Sequence, residues 1–184
     1  SNFNSYPKIK EDAYFNYIKL SYQLSNPYEN PKENIQKFID SYPNSSHISE
    51  AYDMLKNIYV NTKDYSKAIQ LLEATSLENL KQKNDYQKIT FFKAIELYNN
   101  RNWEQSLIFF NKSINQAIDK EIEAKAIYWK SEILFRIKKY QEAIDNIKKF
   151  QSISNATSLN IYFTSFYNLG YAYFNTKDFL NAAK

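Results

Sequence analysis

The stretch Asn61-Thr62-Lys63-Asp64-Tyr65-Ser66-Lys67-Ala68 decides the fold, because its first four residues return unchanged at Asn175-Thr176-Lys177-Asp178. In both copies an aromatic residue follows the shared segment, and an alanine follows that aromatic residue by three positions. A tyrosine also stands two residues before each copy. This arrangement fits a tight turn between two helices, so the sequence predicts a chain built from repeated helix-turn-helix units.

The same frame recurs along the whole chain. A small or polar residue anchors the second helix of each unit, and successive anchors are 34, 38, 37 and 39 residues apart: Asn34, Ala68, Ser106, Ala143 and Ala182. From the second unit onward an aromatic residue lies three positions before the anchor, and an apolar residue follows four positions after each of the first four anchors. Such positions share one face of an α-helix, so each second helix should bury this stripe. Asp64, Asn102 and Asp178 are suited to cap these helices.

The units fall at about 11–45, 46–76, 77–117, 118–154 and 155–184, and the fifth is truncated. In the third unit we predict helices at 85–99 and 103–116, after a polar connector at 80–84 that also suits a helix. A repeat array ends in a polar capping element, and none follows the fifth unit. We therefore expect this chain to be a fragment of a protein that continues beyond Lys184.

The composition excludes several kinds of site. A single Gly cannot form a phosphate-binding loop, a dinucleotide fingerprint or a nucleophile elbow. One His and no Cys cannot supply a zinc finger or an HExxH site, so we expect no metal, no cofactor and no enzymatic activity. A pair of carboxylates suffices for glycoside hydrolysis, so a hydrolase stays a third alternative. The acids Asp119, Glu121 and Glu123, however, suit the start of a helix.

The anchor residue, its aromatic and apolar neighbours and the motif Leu169-Gly170-x-x-Tyr173 resemble the tetratricopeptide repeat. The resemblance covers about residues 11–184. It implies a single all-α domain over 1–184, folded as a right-handed α-α superhelix of about four and a half repeats. The family has a small residue where the first helices cross, and Lys56 departs from this pattern: the five positions are Ser21, Lys56, Ala94, Ser131 and Gly170.

In this family the concave surface is lined by first-helix residues spaced four and then three apart. The resemblance therefore implies ten candidate peptide-binding residues: Tyr22, Asn57, Phe91, Tyr98, Tyr128, Glu132, Phe135, Tyr167, Tyr171 and Phe174. Ile18, Ser25, Asp53, Val60 and Ile95 complete the register. Aromatic residues supply large contact area, so this groove suits an extended or helical peptide with apolar anchors. The alternative is that about half of the rings pack against the next helix instead.

A narrower likeness concerns the first repeats. Leu20-Ser21-Tyr22 together with Phe38-Ile39-Asp40-Ser41-Tyr42-Pro43-Asn44-Ser45 resembles bacterial outer-membrane tetratricopeptide lipoproteins, of the Bam-complex and Tol–Pal accessory types. This implies a periplasmic or outer-membrane-associated scaffold in envelope assembly, and otherwise a cytoplasmic one. No apolar run approaches the roughly 18 residues of a membrane span. We expect no transmembrane segment in this fragment, and a membrane anchor would lie in the full-length protein.

The sequence thus favours a noncatalytic scaffold that binds a protein or peptide partner. The second alternative is a helical-repeat module for RNA or single-stranded nucleic acid, since such modules combine basic charge with aromatic stacking. Here the 24 basic residues are interspersed with 20 acidic ones and form no basic stripe. The chaperone-tail clamp found in part of the family is not predicted, because Phe92 stands where that clamp needs an asparagine.

Overall fold

The computed structural model of the chain describes residues 6–24, 29–75, 77 and 79–183. Ser25 of the predicted groove, much of the first predicted turn and Lys184 lie outside these residues. Within the described part, all regular secondary structure is helical, which confirms the predicted all-α class. The α-helices are α1 (Pro7–Leu24), α2 (Pro31–Ser41), α3 (Ile48–Asn61), α4 (Tyr65–Ala74), α5 (Leu80–Asn99), α6 (Trp103–Gln116), α7 (Lys120–Arg136), α8 (Tyr140–Gln151), α9 (Ile161–Asn175) and α10 (Phe179–Ala182).

The chain divides into two compact units, residues 1–74 and 75–184. The first unit contains α1 to α4 and the second contains α5 to α10. Within each unit every helix packs against the next one in sequence. In the second unit α7 also packs on α5, and α9 packs on α7. Each unit therefore stacks helical hairpins as the repeats predict.

The recurring Asn-Thr-Lys-Asp segment forms a Schellman turn. The Lys63 N–H donates to the Val60 carbonyl at 3.0 Å, and the Asp64 N–H donates to the Tyr59 carbonyl at 2.8 Å. Both bonds satisfy carbonyls at the end of α3 that have no partner within the helix. The residue at the bend has a left-handed backbone in all four such turns, at Lys63, Arg101, Lys138 and Lys177, with φ between 58° and 64°.

The helix starts largely follow the predicted capping pattern. The carboxylates of Asp64 and Asp178 and the side-chain oxygen of Asn102 each accept an N–H three residues on, at 3.2 to 3.4 Å. The third unit begins earlier than the predicted Asp85, because Asn79 and Gln82 form a reciprocal capping box. That box extends α5 back through the polar connector to Leu80.

The first unit has a core of apolar side chains from α1, α2 and α3. The Phe38 ring is fully buried and lies 5.4 Å from the Phe15 ring. His47 stacks on Phe15 with ring centroids 4.1 Å apart, and its Nε2 lies 3.0 Å from an Asp12 carboxylate oxygen. The sole histidine therefore links the residue before α3 to α1 through contacts with Phe15 and Asp12.

Lys56 lies at the position where first helices cross, which holds a small residue in the other four repeats. Its side chain is buried, and its Nζ lies 3.0 Å from an Asp53 carboxylate oxygen. Burial without a counter-charge would cost several kcal/mol, so the nearby carboxylate compensates for the departure from the pattern.

In the second unit a buried side-chain amide, which the sequence pattern did not reveal, joins α5 to the loop before α7. Gln87 is fully buried in α5, and its Oε1 accepts the Asp119 N–H at 2.7 Å and the Ile118 N–H at 3.1 Å. Its Nε2 donates to the Asp119 carbonyl at 3.0 Å. These bonds fix the loop that leads into α7.

Candidate functional site

The second unit carries an open aromatic pocket of about 480 Å³ on α9 and α10. We call its lining the aromatic seat: Phe166, Tyr167, Gly170, Tyr171, Phe174 and Ala182. Successive lining positions on α9 are adjacent or three residues apart, so they share one side of the helix. Tyr167 is 67% exposed, Tyr171 50% and Phe174 60%.

The rings of the seat are ordered by contacts with one another and with neighbouring helices. The Tyr167 and Tyr171 rings lie 5.2 Å apart, and Tyr171 makes an edge contact with Phe135 of α7 at 6.4 Å. Phe174 makes an edge contact with Phe179 of α10 at 5.6 Å. The floor is open at Gly170, where an added Cβ would meet only the Ala182 carbonyl oxygen, at 3.6 Å.

A polar cluster lies beside the seat, at the junction of α7 and α9. Asn168 Nδ2 donates to the Tyr128 hydroxyl at 3.3 Å and to a Glu132 carboxylate oxygen. Arg136 lies 3.6 Å from the other Glu132 oxygen and stacks over the rings of Tyr98 and Trp103. The two Asn168 bonds join α9 to α7.

Burial governs the protonation of this cluster. It raises the pKa of the Tyr128 phenol to about 12, with a further contribution from the Glu132 charge. Burial also raises the pKa of the Glu132 carboxyl, while Arg136 and Asn168 act in the opposite direction. An adjoining pocket of about 350 Å³ gives this carboxyl and Arg136 an opening to solvent.

The predicted groove residues separate by exposure. Phe91 and Tyr128 are buried inside the second unit, so their rings are not available to a partner. Tyr22, Tyr98, Glu132 and Phe135 are half-buried, whereas Asn57, Tyr167, Tyr171 and Phe174 are exposed. Of the register positions outside the ten, Ile18 is buried and Asp53, Val60 and Ile95 are half-buried.

The two units hold different parts of the predicted groove. In the first unit Tyr22 lines a pocket of about 500 Å³ with Pro31 and Ile58, and Asn57 is exposed on α3. In the second unit Glu132, Phe135, Tyr171 and Phe174 lie on α7 and α9, close to one another. The exposed aromatic residues of the predicted groove therefore lie together on α9: Tyr167, Tyr171 and Phe174.

Sequence reasoning missed three residues that shape this site. Phe166 and Gly170 line the seat, and Asn168 joins α9 to the polar cluster. Asn168 stands two positions before the crossing glycine, and that spacing turns its side chain toward the preceding repeat. Helical geometry applied to both sides of α9 would have found it.

The helices of the described part of the chain include none that is long and apolar enough to cross a membrane. The His, Asp and Glu side chains of the same part form no group of three or more that is arranged to hold a metal ion.

Known proteins resemble the chain in structure rather than in sequence. No protein-family profile matches it, and no curated protein sequence does. The crystal structure of MamA matches 94% of this chain and 86% of its own, with a TM-score of 0.53 and 13% identity. BtubC (BKLC) from P. vanneervenii matches 97% of this chain and 79% of its own, with a TM-score of 0.50 and 14% identity. Both are tetratricopeptide-like repeat proteins, so this chain has the tetratricopeptide-like helical-repeat fold.

Proposed function

We propose that the chain is a noncatalytic protein-interaction scaffold that binds an amphipathic helix of a partner on the aromatic seat. The observation that carries this proposal is a repeat within the second unit. Each residue of the seat has a counterpart 39 positions earlier: Ile127, Tyr128, Ser131, Glu132, Phe135 and Ala143.

The earlier surface is covered by a helix. α9 packs on both α7 and α8, and Ile127, Ser131 and Ala143 are buried. Tyr128 is 4% exposed, against 67% for Tyr167 at the same repeat position. The residues that cover this surface are apolar side chains of α9, which pack with Phe135 and Ile144: Leu169, Ala172 and Tyr173.

The later surface carries the same residue classes except that Tyr171 replaces Glu132, and it has no such cover in the described chain. Phe163 and Phe179, which are also exposed, extend it beyond the seat. A buried aromatic side chain removes roughly 150–250 Å² from water, so the exposed rings form a patch on the order of several hundred Å². A contiguous apolar patch of that size is typical of an interaction surface.

The covered surface also specifies the class of partner. α9 reaches its neighbours through Ser165, Leu169, Ala172 and Tyr173, at positions i, i+4, i+7 and i+8. These positions share one helical face, and binding of such a face in an apolar groove is a common mode of peptide recognition. We therefore infer that the partner is a helix with small or apolar residues at this spacing.

Selection of randomised helical peptides on the intact chain tests the proposal. Enriched peptides should carry apolar residues at this spacing, and Gly170→Arg should weaken their binding at least about tenfold by filling the floor of the seat. Leu80→Glu/Ile108→Glu changes two exposed apolar residues away from α9 and should leave affinity unchanged. Peptides that bind Gly170→Arg as tightly as the unmodified chain would place the site elsewhere.

We further propose that the scaffold serves in the bacterial envelope, in the periplasm or at the outer membrane. The support is the resemblance of Phe38–Ser45 to the outer-membrane tetratricopeptide lipoproteins. In this segment α2 ends at Ser41 and Pro43 precedes the turn into α3. Fractionation of cells that express the complete gene should place the protein with the envelope, and recovery in the cytosol would contradict this location.

A further inference from the structure

A second pocket of the second unit lies between two consecutive repeats, where the end of α7 and the start of α8 meet α9. We call it the carboxyl pocket. Its volume is about 350 Å³, and the residues that line it are Glu132, Phe135, Arg136, Lys138, Tyr140 and Asn168. None of these residues lines the aromatic seat, and none lies on α1 or α10.

Each lining residue of the carboxyl pocket has a counterpart one repeat earlier. The five residues of α7, α8 and the turn between them have counterparts 37 positions before them, and Asn168 of α9 has its counterpart 39 positions before it. In the same order as the lining, the counterparts are Ile95, Tyr98, Asn99, Arg101, Trp103 and Trp129. The two places can therefore be compared residue by residue.

The aromatic walls of the two places have nearly the same geometry. The earlier ring pair is Tyr98 and Trp103, with centroids 5.1 Å apart and ring planes at 64°. The later ring pair is Phe135 and Tyr140, with centroids 5.4 Å apart and ring planes at 65°. Each pair joins the end of a first helix to the start of the second helix of its repeat. The backbone thus presents both pairs in the same way.

The earlier ring pair is covered by side chains of the next repeat. Trp129 of α7 makes an edge contact with Tyr98 at 5.0 Å. The Arg136 guanidinium carbon lies 5.8 Å from the Tyr98 centroid and 5.9 Å from the Trp103 centroid. A guanidinium over aromatic faces is attracted by the negative charge density of the rings. The earlier ring pair is therefore a guanidinium site that the chain fills itself.

The later ring pair lacks this cover because two asparagines replace the covering side chains. Asn168 stands at the repeat position of Trp129, and Asn175 stands at that of Arg136. Asn175 is exposed, and its Nδ2 donates to the Tyr171 carbonyl of its own helix at 2.8 Å. An asparagine side chain is shorter than that of tryptophan or arginine. The carboxyl pocket therefore lies where the earlier repeat holds an indole and a guanidinium.

The carboxyl pocket also carries a negative charge that the earlier place lacks. Glu132 stands at the repeat position of Ile95, and its side chain is 15% exposed. One of its oxygens accepts the Asn168 bond, and the other lies 3.6 Å from Arg136. Two carboxylate oxygens offer about four lone-pair sites, so Glu132 retains capacity for a further cationic donor.

Two basic residues also line the pocket, and the earlier place shows that this is compatible with a bound guanidinium. Lys138 occupies the left-handed bend after α7, and Arg101 occupies the same bend beside the earlier ring pair. Arg101 does not prevent Arg136 from lying over that pair. Arg136 itself has its charge beside Glu132, so the carboxylate offsets it.

We propose that the carboxyl pocket binds the guanidinium of an arginine side chain that belongs to a partner protein. The guanidinium stacks on Phe135 and Tyr140, as Arg136 does on the earlier ring pair, and donates to Glu132. The site goes beyond the proposed function, because it is a separate pocket and recognises a different chemical group. A partner side chain thus supplies what Arg136 supplies one repeat earlier.

Three variants of the full chain test this site. Glu132→Gln removes the charge and keeps an acceptor for Asn168. Asn175→Arg restores the arginine at the repeat position of Arg136, so it should fill the pocket from within the chain. Asn115→Arg adds the same charge at an exposed position of α6 and is the matched control. Far-UV circular dichroism would verify that each variant retains its helix content.

An NMR titration with N-acetyl-arginine amide gives the readout. The side-chain amide of Asn168 and the ring of Tyr140 should shift along one saturation curve in the unmodified chain and in Asn115→Arg. Affinity should fall at least about tenfold in Glu132→Gln, and binding should be lost in Asn175→Arg. The ligand-free Asn175→Arg variant should already show the Asn168 shift that the ligand produces in the unmodified chain.

Two further ligands define the group that is recognised. N-acetyl-citrulline amide has the shape of the arginine derivative without its charge, and it should bind at least about tenfold more weakly. Free arginine carries a charged amino group and a carboxylate that an arginine residue lacks, and it should bind no more tightly than the amide. Free arginine that binds at least about tenfold more tightly would assign the pocket to the amino acid instead of a protein side chain.

Three other results would overturn the inference. Asn168 and Tyr140 signals that do not respond to the amide would show that the pocket does not bind it. Equal affinity for the citrulline derivative would show that the charge is not recognised. Unchanged affinity in Asn175→Arg would place the ligand elsewhere. The proposed function does not depend on these results, because the seat and the carboxyl pocket have no lining residue in common.

Discussion

α1 and α9 are both first helices of their repeats, yet they expose opposite faces. In α1 the face with Phe15 and Ile18 is buried, and the docking face with Leu20 and Leu24 is exposed. In α9 the docking face with Ala172 is buried, and the seat is exposed. A helical repeat has one surface that receives a helix and another that docks, so the same type of residue is buried or exposed according to which neighbouring helix covers it.

The largest expected effect contrasts the covered and the open tyrosine at one repeat position. Tyr128→Ala should lower the free energy of unfolding by about 3–5 kcal/mol, because it leaves a cavity and removes a partner of Asn168. Tyr167→Ala should change it by less than about 0.5 kcal/mol. Urea unfolding at low protein concentration measures both, and equal losses would contradict the difference in burial between α7 and α9.

A second pair contrasts a docked and an undocked leucine. Leu55 of α3 is fully buried, so Leu55→Ala should cost about 3 kcal/mol. Leu24 of α1 is 74% exposed, so Leu24→Ala should cost less than about 0.5 kcal/mol when the chain is monomeric. The same urea titrations apply, and a large loss for Leu24→Ala would mean that α1 already packs on another surface.

A smaller effect concerns the carboxyl at the junction of α7 and α9. Its raised pKa means that the folded chain binds this proton more tightly than the unfolded chain does. Its contribution to stability is therefore present below the unfolded pKa, roughly 4.3, and is lost as pH rises through the folded pKa. Glu132→Gln should thus be more stable than the unmodified chain above this window and should gain nothing below it.

Thermal unfolding of the Glu132→Gln variant from acidic to neutral pH checks this prediction. Glu104→Gln, which changes an exposed carboxyl on α6, serves as the control. A gain in melting temperature that does not depend on pH would show that the substitution acts through packing rather than through the proton.

The smallest effect tests the turns that both units share. Lys63 and Lys177 hold left-handed backbone, which strains a side chain with a Cβ and suits glycine. Lys63→Gly and Lys177→Gly should therefore each raise the free energy of unfolding by about 0.5 kcal/mol. Glycine at Lys67, within α4, should lower it instead, and chemical denaturation of the three variants would show whether the signs differ as expected.

The periodic pattern predicted the helices and their pairing well. The recurrence of Asn-Thr-Lys-Asp located two turns, and the small crossing residues placed the repeats in register. It did not locate the start of α5, because the capping box at Asn79 and Gln82 depends on local hydrogen bonds rather than on apolar spacing. It also missed Gln87, since the partners of a buried amide are backbone groups that no residue type marks.

The pattern could not separate binding residues from packing residues. Tyr128 and Tyr167 occupy the same repeat position, 39 residues apart, and differ only in whether a further helix covers them. Phe91 holds this position one repeat earlier and is buried as well. Exposure is a property of neighbouring repeats, so a register that is identical in each repeat carries no information about it.

Hydroxyl-radical footprinting of the chain with and without a selected helical peptide tests the central claim most directly. The claim is that the aromatic seat binds the apolar face of a partner helix. It predicts that Tyr167 and Tyr171 become protected when the peptide binds, while exposed Leu24 of α1 and buried Tyr128 of α7 are unchanged. Protection of Leu24 without protection of the seat, or no change at the seat, would contradict it.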